Sequence, residues 1–127
     1  MKIDSSGTIL WQRVVGTVNE NESCQAMSVA SNGAIYAAST FTRSDLAGDS
    51  NIFVVKLSSE GTTEWVKVLG GVLITSTRNL EATDDNGVIV IGATTGFGQG
   101  SYDGVVVKLN ESGEIQWMRT IGGGGFD

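Results

Sequence analysis

The side chains of this chain that could do chemistry are few. Asp84 and Asp85 adjoin Asn86-Gly87, and Asp45 and Asp49 share one polar stretch. Oxygen-rich loops can hold calcium, which takes roughly six to eight oxygen ligands. Neither stretch has the alternating acidic spacing of a dedicated calcium loop. Asp and Asn beside Gly more simply cap turns through their side chains. Histidine is absent, which removes the commonest general base and metal ligand and any Ser-His-Asp arrangement within the chain. Cys24 is the sole cysteine, so an intrachain disulfide cannot form. Its place in a run of small and apolar residues predicts a buried thiol. Gly122 to Gly125 is glycine-rich, but no helical pattern follows it to seat a phosphate. The expectation is a chain with no catalytic residues, no metal site and no cofactor of its own.

Two sets of residues remain as candidates for contact with a ligand or partner. Phe41, Asp45 and Asp49 lie in one polar stretch, matched by Phe97, Tyr102 and Asp103 in another. Aromatics and acids on one rim suit a carbohydrate or a protein surface, although Phe41 and Phe97 more simply pin their loops to the strands. Val72, Leu73 and Ile74 are three consecutive apolar residues where a loop is expected. Such a run implies a surface covered by the next unit or by another chain. The formal net charge of −6 repels phosphate backbones, so nucleic acid is not expected as a partner. No apolar run reaches 18 residues, so a membrane-inserted helix is not expected either.

The elements that position these residues follow from a repeat. K-I-D-S-S-G-T-I-L-W at 2–11 returns as K-L-S-S-E-G-T-T-E-W at 56–65 and as K-L-N-E-S-G-E-I-Q-W at 108–117. Gly7, Gly61 and Gly113 share these steps, as do Trp11, Trp65 and Trp117. Such recurrence marks a repeat architecture. Of eight Lys and Arg, six fall at equivalent places: Lys2, Lys56 and Lys108, and Arg13, Lys67 and Arg119. Basic residues spread one per unit read as structural partners of neighbouring units.

Period-two patterning predicts strands at 8–15, 24–30, 34–40, 52–57 and 63–69, with counterparts near 78–82, 88–94, 104–109 and 115–121. Asn32-Gly33 and Asn86-Gly87 are aligned as equivalent hairpin turns. The drop in spacing from 54 to 52 residues is then assigned to the loop after 40 and 94. The chain has 18 glycines and no proline, so its tight turns rely on Gly, Asn and Asp. Four short strands per unit of roughly 50 residues is the pattern of a propeller blade. The expectation is an all-β chain with two complete four-stranded antiparallel blades, 24–69 and 78–121. An orphan outer strand in 1–16 belongs to a preceding blade, and 122–127 begins a link to a next one.

The run of signals resembles the bacterial and archaeal β-propeller repeat family, the seven-bladed repeats of secreted and cell-surface proteins. The matching segments are Gly70-Gly71, I-Y-A-A-S-T (35–40), V-I-G-A-T (90–94), F-V-V-K-L (53–57), V-V-V-K-L (105–109) and Gly122-Gly123. The aspartate that usually follows Gly-Gly in that family falls here on Asn21, Thr75 and Asp127. The resemblance implies a fragment of a propeller and an extracellular or cell-surface location. It also implies a scaffold or protein-binding role, with other blades or copies of the chain as partners. A cofactor-binding or enzymatic quinoprotein-like propeller is the alternative. Its docking motif has a Thr-Gly and one more residue between Asp and Trp than Asp4 to Trp11 provides.

Overall fold

A computed structural model describes residues 1–16, 21–42, 50–70, 74–94 and 102–122. Among these the chain is all-β, in three antiparallel sheets. Strands β1 (Lys2–Ile3) and β2 (Ile9–Trp11) form a hairpin. Strands β3 (Asn21–Val29), β4 (Ile35–Thr42), β5 (Ser50–Leu57) and β6 (Thr63–Leu69) form a meander in chain order. So do β7 (Ser76–Ala82), β8 (Val88–Thr94), β9 (Asp103–Leu109) and β10 (Ile115–Ile121). The units are therefore blade-like, and the hairpin corresponds to the last two strands of such a unit.

Each unit repeats the same irregularities. The first strand carries a bulge at Gln25 or Arg78, and the last at Leu10, Glu64 or Gln116. The turn before the last strand is capped by a short polar side chain. Asp4 Oδ1 accepts from the backbone N–H groups of Ser6 and Thr8, Ser58 Oγ from Glu60 and Thr62, and Asn110 Oδ1 from Ser112 and Glu114. The glycine that follows has φ of 83°, 80° and 85° at Gly7, Gly61 and Gly113, a region that excludes most side chains.

Three expectations are corrected here. The strand predicted at 8–15 stops at Trp11, because β1 offers no residues opposite 12–15 to complete a ladder. The hairpin turns are equivalent one residue away from the sequence alignment. Asn86, with φ of 60°, occupies the place of Gly33, and Asp85 that of Asn32. Asn32 Oδ1 accepts from Ala34 N–H as Asp85 Oδ1 does from Gly87 N–H. The step there is 53, so the spacing falls from 54 to 52 by one residue before this turn and one after it. Cys24 is exposed, not buried. Its equivalent Thr77 is buried because the first full sheet covers it. Among the described residues only the two-stranded hairpin stands over Cys24, with a cleft of about 430 Å³ lined by Trp11, Cys24, Met27, Ile35 and Ala37.

The main core lies between the two full sheets. Tyr36, Ala38, Ile52, Val54 and Leu69 meet Leu80, Val88, Val90, Val105, Val107 and Leu109. Burying one such Val or Leu contributes roughly 1.5–3 kcal/mol. Small residues in β3 let β7 approach, and Ser28 Oγ accepts from Ala82 N–H at 2.9 Å. A second cluster, Phe53, Val55 and Leu57 with Ile35, Ala37 and Phe41, packs against Trp11 of the hairpin.

Candidate functional site

The contact candidates that lie among the described residues, Phe41, Ile74, Tyr102 and Asp103, do not converge on one rim. Phe41 lies within β4, half-buried, with its ring 5.9 Å from that of Phe53, so it pins the strand to its sheet. Asp103 opens β9 and is buried against the end of β10, not displayed in a loop. Its Oδ1 lies 1.9 Å from where a Cβ on Gly122 would sit, just as Asn51 Oδ1 lies 2.4 Å from that position on Gly70. Both glycines are needed to let these side chains in. Ile74 is fully buried in the core against Gly92, so it is no partner contact. Tyr102 is exposed. Asp45, Asp49, Val72, Leu73 and Phe97 lie outside the described residues.

What the fold does bring together is the set of repeat residues, at the joint between one unit and the next. Trp11 lies over Gly61, its ring carbons 2.8 Å from the place of an added Cβ. Its indole N–H donates to the Ser59 carbonyl at 3.2 Å. Trp65 lies over Gly113 in the same way, at 3.1 Å, and donates to the Glu111 carbonyl at 2.9 Å. Lysine adds a second donor to the same carbonyls, Lys2 Nζ to Ser59 at 3.3 Å and Lys56 Nζ to Glu111 at 3.2 Å. Arg13 Nε donates to the Gly61 carbonyl at 2.8 Å rather than stacking on the indole. The tryptophan of one unit thus grips the glycine turn of the following unit.

Charge is concentrated at the inner joint. Lys56, almost wholly buried, meets Glu64 of its own unit at 2.9 Å and Glu111 of the next at 3.9 Å. Its ammonium stands 6.0 Å from the Tyr36 ring, which in turn tilts against Trp65. The Tyr36 hydroxyl donates to the Asn86 carbonyl across the joint. Burial, and then the negative field of Glu111, Glu64 and Asp85, pushes its pKa up to about 12, so it stays a donor in ordinary buffers.

In the last unit the pattern changes. Lys108 donates to both Asp85 oxygens at 3.0 Å and to the Leu109 carbonyl at 3.0 Å, all within its own sheet. The Thr83 hydroxyl, Lys108 and the Gly87 N–H together hold the Asp85 carboxyl down at about 2, against an ordinary 3.8. A carboxyl lowered by folding stabilises the fold above its unfolded pKa and loses that contribution as pH falls through its folded pKa. Wild-type chain should therefore lose stability progressively from about pH 4 to about pH 2. Asp85→Asn should flatten this acid limb. Melts in a pH series that fall equally steeply for both proteins would contradict the assignment.

Sequence reasoning found the Trp, Lys and Gly members of the joint but missed Tyr36, Ser59 and Glu111. The last two contribute carbonyls, which no residue type signals. Compared with known proteins, the chain matches no protein-family model and no curated protein at a significant level.

Proposed function

We propose that the chain is a non-catalytic β-propeller repeat module, serving as scaffold or interaction surface of a secreted or cell-surface protein. One observation carries the reading: the joint is built twice from the same parts. Trp11, Lys2 and the 58–61 turn make one copy; Trp65, Lys56 and the 110–113 turn make the other. In both copies the tryptophan and the lysine are engaged in joining units, which is the task of a scaffold. The secreted setting comes from the resemblance in sequence alone.

Stability of such arrays grows as units and joints are added. A chain lengthened by a second copy of residues 62–113, inserted after Gly113, should fold and melt at a higher temperature than the original. An added unit that stays unfolded or lowers the melting temperature would count against the modular reading. Turnover of general hydrolase or dehydrogenase substrates that follows the purified protein would overturn the non-catalytic part.

A further inference from the structure

We propose that Asn32 is a site of spontaneous covalent modification, losing its amide to attack by the Gly33 nitrogen, and that Asn86, in an identical Asn-Gly pair, is spared. The distinction comes from the one-residue offset between the two hairpin turns. Asn32 Oδ1 accepts from the Ala34 N–H at 3.0 Å. This is an Asx turn, and the ring it closes contains both the Asn32 side-chain carbon Cγ and the Gly33 nitrogen. The two reacting atoms are thus held within one small ring. Gly33 has no Cβ to obstruct their approach. The Ala34 N–H also donates to the very oxygen on which negative charge develops during attack, as the donors of an oxyanion hole do.

Water is the only co-reactant. Hydroxide takes the Gly33 proton once its bond to the Ala30 carbonyl, 2.9 Å long, has opened. The nitrogen bonds to Cγ, and the side-chain nitrogen leaves as ammonia with a proton from water, giving a cyclic imide. Water then opens the imide at either carbonyl, leaving aspartate or isoaspartate at position 32. The fold already accepts the first product, since Asp85 occupies this place in the second unit and accepts from the Gly87 N–H at 3.1 Å. Asn86 stands one residue later in its turn, with φ of 60°. Its Oδ1 accepts from the Ser31 hydroxyl of the other unit at 3.4 Å, outside its own turn. Its attacking group would be the Gly87 nitrogen, whose N–H is held by the Asp85 carboxylate. Gly87 is also buried against Lys108 Nζ and the Leu109 carbonyl, which shields that N–H from hydroxide. In the reactive place itself stands Asp85, whose carboxylate is bonded to Thr83 and Lys108 and has no ammonia to lose.

The test holds the purified 127-residue chain in warm, mildly alkaline buffer and follows it by peptide mapping with mass spectrometry. Conversion is read at positions 32 and 86, with isoaspartate separated from aspartate. In the folded chain Asn32 should convert at least about tenfold faster than Asn86. In strong denaturant the two identical dipeptides should convert at similar rates. Asp85→Asn combined with Asn86→Gly gives the second turn the register of the first, and this variant, when folded, should convert at position 85. An Asn86 that keeps pace with Asn32 in the folded chain would overturn the proposal. So would an Asn32 that converts in denaturant but stays intact in the folded chain, or a folded double variant that stays intact at position 85. A gap of the same size in denaturant would trace the difference to sequence and overturn the role of the turn. If the double variant does not fold, the wild-type rates, folded against unfolded, decide alone.

Discussion

Trp65→Ala should cost about 3 kcal/mol of folding stability, the lower part of the range for a large aromatic removed from a core. Trp65 is half-buried, which argues against the top of that range. It nevertheless makes three contacts that alanine cannot: the face over Gly113, the bond to the Glu111 carbonyl, and the ring of Tyr36 at 5.8 Å. The loss falls on the joint, so the two full sheets should also become less coupled in unfolding. Trp117→Ala removes the same side chain where no following turn lies beneath it among the described residues. The difference between the two substitutions, read in denaturant melts of monomeric protein, isolates the joint's share. Equal losses at Trp65 and Trp117 would show that the indole's value lies within its own strand.

Gly113→Val should be comparably severe, about 3–4 kcal/mol. Two costs combine. A side chain at φ of 85° is strained by about 1–2 kcal/mol, more for a β-branched one. Its Cβ would also stand 3.1 Å from Trp65 ring carbons, with γ-methyls beyond it, and overpacking of this kind costs about 1–3 kcal/mol. The second cost vanishes when the indole is absent. Made in a Trp65→Ala chain, the same substitution should therefore cost only about 1–2 kcal/mol. Strict additivity of the two changes would mean that glycine serves only the turn. Less-than-additive losses would show that the repeat's glycine and tryptophan are one device.

The residues that carried the fold in the sequence were those with a local reason to recur. Gly7, Gly61 and Gly113 are fixed by positive φ within a single turn, so their spacing revealed the unit. The alternation of Trp65, Lys67 and Leu69 with exposed Val66 and Val68 was equally legible, because a strand with one buried face imposes it. Long-range needs were not legible. Gly87 looks like the glycine of an Asn-Gly turn, yet its missing side chain makes room for Lys108 Nζ, 2.3 Å from the Cβ position, and for the Leu109 carbonyl at 2.5 Å. Asn86 takes the positive φ instead. Ile74 read as part of a loop whose apolar run needs a cover, but what covers it, the core around Gly92, is a long-range fact. Cys24 read as buried because its run is small and apolar, but burial there depends on what stands opposite.

The reach of each indole across a joint also separates where a tryptophan sits in the chain from what its emission senses. Trp11 looks into the turn at 58–61 and Trp65 into the turn at 110–113. Each chromophore reports the dielectric surroundings of the unit that follows it as well as those of its own. Loosening of the second full sheet is therefore read out at Trp65, which lies in the first. Trp117, exposed and with no turn beneath it among the described residues, supplies the more solvent-relaxed reference within the same molecule. Chains keeping a single one of the three tryptophans would turn the repeat into a set of optical probes, one for each junction along the array.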